Sequence, residues 1–194
     1  MSTLKNIANF LFEVGMLKKT PRTGYQFLGS GQENVAEHSF RAAIIGYILA
    51  RRSQADIART TFLCLFHDVH EARTGDFNYV NKIYNTCNDK AALGDALAGT
   101  GLETDITGYY DELSEHKTLE ARLAHDADQL DLICNLKEQL DLGNPYAQKW
   151  IDCAIKRLYT PTGIELGKEI LQTDQSDWWF AQQTRDWWIT GKKP

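Results

Sequence analysis

Apolar residues recur every three or four positions along most of the chain, which is the spacing of amphipathic α-helices. No segment alternates apolar and polar residues for long enough to predict a sheet. The expected fold is therefore all-α, a bundle of helices joined by short loops. The predicted helices span 2–17, 34–52, 56–73, 88–98, 103–116, 118–141, 145–159, 164–172 and 176–189.

Individual residues sharpen this prediction. The apolar face of the first helix is expected at Leu4, Ile7, Leu11 and Val14. A polar loop should fill 18–32, Gly75 should break the chain after the third helix, and the segment 77–101 should be irregular outside its helix. Gly143 should end the long helix 118–141, because glycine is frequent just past helix ends.

Composition and charge narrow the class of protein. The chain has 194 residues, of which 43% are hydrophobic and 24% charged, which favours one soluble domain over 1–194. A net charge of −5 argues against binding long nucleic acid through its phosphates. No apolar run approaches the ~18 residues of a membrane span. Four cysteines without a C-x-x-C pair fit a reducing compartment, so the predicted location is the cytoplasm.

The sequence with the clearest chemistry is His67-Asp68, inside the predicted apolar helix 56–73. A buried ionised carboxylate costs several kcal/mol unless it is paired or binds a cation. Glu71 follows three residues later on the same predicted face, and Asp76 comes just after the break at Gly75. Four groups that can bind a metal or transfer protons thus lie within ten residues.

Two other helices offer further ligands. His38 shares the apolar face of its helix with Ala42 and Leu49, and Asp128 lies near the apolar side of 118–141. His38, His67, Asp68 and Asp128 together supply two imidazoles and two carboxylates, a set that suits a divalent metal with open positions. Asp131, one turn beyond Asp128, is an alternative ligand.

The order His … His-Asp … Asp resembles the HD phosphohydrolase superfamily. The runs that carry the resemblance look like the branch containing bacterial 5′-deoxynucleotidases and their HD-domain relatives: Leu17–Gly24, Glu33–His38, His67–Asp76 and Asp126–Leu130. The match covers about 5–140, which would form the core of the domain, with helices of 145–194 packing on it.

The resemblance implies roles for individual residues. It makes His38, His67, Asp68 and Asp128 the ligands of one divalent ion, of the kind Co, Mn, Zn, Fe, Ni or Mg. Glu71 and Asp76 would serve the attacking water and the proton transfers. Arg22 would hold the phosphate, and the neighbouring cations at 18–19 are more weakly indicated. The implied fold is an HD-type helical bundle with its metal site between core helices.

Two features leave alternatives open. The resembling nucleotidases carry a tryptophan directly after this arginine, associated with rejecting a ribose 2′-hydroxyl, whereas this chain has Thr23, with Tyr25 nearby. His70, His116 and His125 raise the alternative of a dinuclear centre, although no spaced histidine pair of the dinuclear pattern follows. A single ion is therefore predicted, and deoxy-selectivity stays open.

The predicted function is hydrolysis of small phosphate esters, with nucleoside 5′-monophosphates as the expected substrates. The rival functions are a nucleoside triphosphate hydrolase, a phosphatase for another ester, a non-catalytic nucleotide-binding regulator and a dinuclear oxygenase. The repeated Asp-Trp-Trp at 177–179 and 186–188 is expected to pack the last helix or fill a dimer interface, which leaves a homodimer open.

Overall fold

The computed structural model describes residues 2–180 and 185–191, without the side chains of 185–187. Helices make up its regular structure, and the described residues contain no strand beyond an isolated bridge between Pro21 and Asn34. The all-α prediction is confirmed. The helices are α1 Thr3–Val14, α2 Tyr25–Leu28, α3 Val35–Ser53, α4 Ile57–Phe66, α5 Glu71–Thr74, α6 Tyr79–Tyr84, α7 Asp89–Leu97, α8 Glu103–Glu115, α9 Leu119–Asp141, α10 Tyr146–Ala154, α11 Pro161–Gln172 and α12 Arg185–Thr190, with short 3₁₀ turns at Gly15–Lys19 and Ile155–Arg157.

The long helix α9 lies at the centre of the molecule. It packs against α3, α4, α8, α10 and α11. Several of its leucines and alanines, among them Leu123 and Leu130, are buried against Ala42 and Leu49 of α3 and Leu63 of α4. Burying a leucine contributes roughly 1.5–3 kcal/mol, so this three-helix contact supplies much of the folding free energy.

The start of α3 is fixed by a capping box. The Asn34 side chain accepts a hydrogen bond from the Glu37 backbone N–H, and the Glu37 carboxylate accepts one from the Asn34 N–H. Such reciprocal bonds satisfy two backbone donors that a helix start leaves free. The cap therefore fixes the position of His38 in the first turn of α3.

The predicted helix 56–73 is wrong in one respect that matters for the site. It is two helices, α4 and α5, joined by a turn over 67–70. The Nδ1–H of His67 donates to the Cys64 carbonyl, and the backbone then tightens to bonds such as Val69 N–H to Phe66 O. A side chain that competes with the backbone for helical carbonyls can end a helix in this way.

The predicted face of α1 is partly wrong. Leu4 and Leu11 are 78% and 66% exposed, whereas Val14 packs on a cluster that includes the buried Phe10 and Leu17. The apolar residues of this helix form one broad face, and contacts with α7 and the 3₁₀ turn bury only the side of it that carries Phe10 and Val14.

Other differences are smaller. The predicted loop 18–32 contains α2, and α6 lies in the segment expected to be irregular. Gly143, at φ 94°, ends α9 as predicted. The prediction of a helix over 176–189 falls partly on 181–184, outside the described residues. On either side of that gap the structure has a turn at 174–180 and α12. Among the described residues, no helix is long and apolar enough to cross a membrane.

Candidate metal centre

Four of the predicted ligand side chains converge between α3, the end of α4 and α9. The Nε2 atoms of His38 and His67 face each other at 3.1 Å. Asp128 Oδ1 lies 3.2 Å from His38 Nε2, and Asp68 Oδ2 lies 3.0 Å from His67 Nε2 and 3.7 Å from His38 Nε2. The structure thus brings together the two imidazoles and two carboxylates selected from the sequence.

The spacing of these atoms fits a small cation. Ligand atoms about 2.1 Å from a metal are about 3.0–3.4 Å apart when their bonds meet at right or tetrahedral angles. Most of the observed separations fall in that range. The donor set of imidazole nitrogen and carboxylate oxygen is also the one that divalent transition metals take in proteins. The cluster could therefore bind a metal.

Both imidazole rings are fixed from behind. His67 donates its Nδ1–H to the Cys64 carbonyl at 2.6 Å, and His38 donates its Nδ1–H to Asp131 Oδ2 at 2.6 Å. A hydrogen bond at Nδ1 sets the tautomer that offers Nε2 as the ligand atom, and it holds the ring in the plane that coordination requires. Metal-binding histidines generally have such partners.

The position of Asp131 bears on the choice between the two acids of α9. Asp131 is fully buried behind His38, where it also accepts hydrogen bonds from Arg41 and Asn135. Asp128 lies on the open side, at His38 Nε2. This arrangement favours Asp128 as ligand and gives Asp131 the role of orienting the ring.

The charges around the rings favour positive charge at this place. Burial and Arg22 would lower the pKa of His38, but its hydrogen bonds to Asp128 and Asp131 raise it to about 10. Burial would raise the pKa of Asp128, yet His38, His67 and Arg22 bring it well below its usual value. Acidic groups that stabilise a charged imidazole would also stabilise a divalent cation.

Glu71 is buried beside the cluster and is not fully hydrogen-bonded. Its Oε2 has no partner among the described residues. Burial, together with the negative charges of Asp68 and Asp76, raises the pKa of Glu71 to about 9, although Arg22 acts in the opposite direction. A carboxyl group whose pKa is raised by burial and like charges is a typical general base or acid.

Arg22 and Asp76 reach the cluster from two loops. Arg22 Nη1 lies 3.3 Å from Asp68 Oδ2 and 4.0 Å from Asp76 Oδ1. The other oxygen of Asp76 accepts the Thr23 backbone N–H at 2.7 Å, and the Thr23 hydroxyl donates to the Asp76 carbonyl. Asp76 therefore holds the loop that presents Arg22. The backbone of Arg22 is also fixed, because its N–H donates a hydrogen bond to the Glu33 carbonyl.

The remaining candidates lie elsewhere or at the edge. Lys18 and Lys19 are exposed on the 3₁₀ turn, away from the cavity at the cluster. The side chains of His116 and His125 contact each other. His70 is the exception, because one of its ring nitrogens lies within 4.8 Å of a carboxylate oxygen of Asp68 and of Glu71. A second ion, if the centre is dinuclear, would be expected at these three residues.

Asp126, the other acid of α9, has a structural role. Its carboxylate accepts hydrogen bonds from the backbone N–H groups of Tyr159 and Thr160, and from the Thr160 hydroxyl, which fixes the chain before α11. It is as deeply buried as Asp131 but has no contact with the histidine pair.

A cavity of about 180 Å³ opens beside the cluster. One water needs ~15 Å³ on this measure, so the cavity has room for a good deal more than a phosphate group. Sequence reasoning missed several of its lining residues, including Asn78, Tyr79, Lys82, Gln129 and Trp150. These residues come from α6, α9, α10 and the residue before α6, so helical periodicity gives no sign that they share a surface.

The tryptophans of the repeated Asp-Trp-Trp do not contribute to this cavity. Trp178, Trp179 and Trp188 do not line it, and the side chain of Trp187 is outside the described residues.

We predict that Asp131→Asn weakens divalent metal binding by ~10–100-fold, because a partner behind a ligating histidine has about that effect. Isothermal titration of metal-stripped protein measures this loss. Asp126→Asn is the matched control, since it removes an equally buried charge from the same helix and should change stability but not metal affinity. Equal metal affinities in the two variants would contradict the role given to Asp131.

The chain matches a family of known proteins over most of its length. The model of a family described as "HD domain" matches residues 14–165, more than half of the chain. The chain belongs to the HD domain family. The resemblance inferred from the motifs is thereby confirmed, and the HD domain match extends past the predicted core limit of about 140 to include α10.

Relatives of this HD domain include proteins named 5′-deoxynucleotidase HDDC2. The Danio rerio protein is 29% identical over 149 residues, covering 73% of this chain and 74% of its own. The Bos taurus protein is 25% identical over 174 residues, covering 86% of this chain and 84% of its own.

Solved structures share the fold. A conserved hypothetical protein from Pyrococcus furiosus aligns with a TM-score of 0.70 and 26% identity, over 86% of this chain and 99% of its own. A structure titled as a predicted metal-dependent phosphohydrolase, from Magnetospirillum magnetotacticum, has a TM-score of 0.66 at 20% identity, over 89% and 95%, and so shows the shared fold.

Proposed function

We propose that this HD phosphohydrolase releases inorganic phosphate from nucleoside 5′-monophosphates. The observation that carries the proposal is the convergence of His38, His67, Asp68 and Asp128 at the end of a cavity that also contains Arg22. Its relatives named 5′-deoxynucleotidase support a nucleotide as the substrate.

The four side chains would hold one divalent ion. Such an ion polarises a phosphoryl oxygen and lowers the pKa of a bound water. The hydrogen bonds behind the two histidines would keep their Nε2 atoms directed at the ion, and the partly buried carboxylates of Asp68 and Asp128 would balance its charge.

The other residues would act on the phosphate and the water. Arg22 makes charge-assisted hydrogen bonds to phosphate oxygens, with Asp76 holding its loop in place. The unpartnered Oε2 of Glu71 can accept a proton from the attacking water. Asp76 Oδ1 lies 4.0 Å from Arg22 Nη1, so Asp76 would be near a phosphate held by Arg22 and would relay a proton from solvent to the leaving oxygen.

A substrate panel tests this proposal directly. Deoxy- and ribonucleoside mono- and triphosphates are incubated with metal-stripped protein and one of several divalent ions, and both phosphate and pyrophosphate are measured. We expect phosphate from the monophosphates. Release of pyrophosphate from the triphosphates would instead establish the triphosphate hydrolase, and turnover of none of them would contradict a nucleotidase.

We predict that Arg22→Lys lowers kcat/KM by roughly 10–100-fold. A hydrogen bond to a charged group contributes ~1.5–3 kcal/mol, and a lysine cannot reproduce the paired geometry of a guanidinium. Steady-state kinetics on a nucleoside monophosphate measures the effect. Arg59→Lys, at an ion pair with Glu112 outside the cavity, should leave kcat/KM unchanged. An equally small effect at Arg22 would rule out its contact with phosphate.

The rival reading as a non-catalytic regulator is less well supported. A binding module needs the ligands and Arg22, but it has no use for a buried acid such as Glu71, whose retention costs free energy. The oxygenase is tested by iron content and oxygen uptake in the same preparation.

The homodimer and the cytoplasmic location remain predictions. Large apolar side chains are exposed on α3 and α4, namely Phe40, Ile44, Tyr47, Phe62 and Leu65. An exposed apolar surface of this kind is often covered by a second copy. The mass in solution, measured by light scattering, decides whether the chain forms a dimer.

A further inference from the structure

One wall of the cavity is aromatic. Tyr79 at the start of α6 and Trp150 on α10 meet edge to face, with their ring centroids 5.7 Å apart and an angle of 68° between the rings. The two rings come from separate elements, since α6 follows the Asp76 loop and α10 packs on α9.

The wall touches the loop that presents Arg22. Gly24 has an ordinary helical φ of −56°, so its backbone would accept any residue. A methyl group there would nevertheless lie 2.6 Å from Cη2 of Trp150, which explains why this position needs a glycine. Arg22 and Gly24 are two residues apart, so the side chain proposed to hold the phosphate and the aromatic wall are connected through one short stretch of backbone.

The same wall is braced against the candidate metal centre. Arg157 stacks on Tyr79 at 5.0 Å from the ring centroid and donates a hydrogen bond to its hydroxyl. Arg157 also lies 3.3 Å from Gln129 Oε1, and the Gln129 amide donates to Asp128 Oδ2 at 2.8 Å. The ring positions are therefore linked by side-chain contacts to a residue of the cluster.

Trp150 has an unused donor. Its indole Nε1 is buried and has no hydrogen-bond partner among the described residues. A buried donor without a partner costs free energy, which an acceptor on a bound ligand would recover if the ring turned toward the cavity. A nucleobase offers both a flat face for stacking and ring or carbonyl acceptors at its edge.

We infer that Trp150, with Tyr79, is the specificity-determining wall for the base of the substrate. This inference rests on the proposed function and deepens it. With the phosphate at Arg22 and the metal cluster, the base would lie against the two rings, which line the same cavity. The site then selects phosphate monoesters that carry an aromatic base over those of the bare sugar.

The test compares two substrates that differ only in the base, deoxyadenosine 5′-monophosphate and deoxyribose 5-phosphate. For each variant, the ratio of their kcat/KM values measures how much the base contributes. We expect Trp150→Leu to lower this ratio by roughly 5–150-fold, since base stacking contributes ~1–3 kcal/mol. The kcat/KM for deoxyribose 5-phosphate should remain within about threefold.

Two further variants complete the design. Tyr79→Leu, at a residue 45% exposed, should lower the ratio in the same direction and keeps the inference testable if Trp150→Leu fails to fold. Trp179→Leu is the matched control, because this tryptophan contacts Phe180 and Trp188 outside the cavity and should leave the ratio unchanged.

The outcomes separate this inference from the proposed function. An unchanged ratio in both wall variants, or an equal loss on both substrates, would overturn the inference while phosphate release by the wild type upholds the function. If the wild type hydrolyses neither substrate, the proposed function fails. Calorimetric binding of the two compounds in Mn²⁺ then decides the inference, which requires tighter binding of the nucleotide and loss of that difference in the wall variants.

Discussion

Asp68→Asn is expected to remove bound divalent metal and to lower phosphate release by more than ~100-fold. Even the partners behind metal ligands contribute ~10–100-fold, and Asp68 would be a ligand itself. Its Oδ2 lies within 3.7 Å of both histidine Nε2 atoms and also contacts Arg22. An asparagine keeps the shape but loses the charge that balances a cation. Elemental analysis after dialysis, together with phosphate release, measures both effects.

A matched control separates this role from general loss of charge. Asp111→Asn removes a half-exposed acid on the surface of α8, where it pairs with Lys90 of α7. Metal content and turnover should therefore stay at the wild-type level. If Asp68→Asn retained full metal-dependent activity, the cluster would not be the reactive site.

Glu71→Gln is expected to keep the metal and to lower turnover per bound ion by roughly 10²–10⁴-fold, the range contributed by general acid–base catalysis. The glutamine occupies the same buried volume but cannot accept the proton of the attacking water. Metal content and single-turnover rates on the same preparation separate loss of the ion from loss of the base.

The pH dependence gives a second readout for Glu71. Burial and the neighbouring carboxylates raise its pKa above 4.5, the ordinary value of glutamic acid. A base with a raised pKa is protonated as the pH falls, so the wild-type rate should decrease on the acid side through a pKa above 4.5. The Gln variant should lack that decrease. A variant that retained it, or that lost the ion but not the rate per ion, would show that Glu71 has another role.

Much of the fold was predictable because it depends on local periodicity. The long helix α9 and the helix that begins near residue 34 follow from the spacing of apolar residues. The convergence of His38, His67, Asp68 and Asp128 was expected from their positions on apolar faces and from the family motif, since buried acids and histidines require partners.

Other features could not be read from the sequence, for physical reasons. The end of α4 at Phe66 depends on a side-chain bond from His67 to the Cys64 carbonyl, which periodicity does not reveal. The buried face of α1 is chosen by its tertiary contacts. The place of Trp150 in the cavity depends on the packing of α10 on α9, so the sequence does not predict it. The repeated tryptophans near the C-terminus form a clear sequence pattern, but those whose side chains are described lie outside the cavity.

The central claim is that this chain uses one divalent ion, held by two histidines and two aspartates, to hydrolyse a phosphate ester. Its most direct test is a titration of the metal-stripped wild-type protein with Mn²⁺, followed by calorimetry and by phosphate release from a nucleoside monophosphate in parallel. We predict about one ion bound per chain and a rate that rises in proportion to occupancy. A folded protein that takes up no divalent ion, or whose activity does not depend on the ion, would contradict the claim.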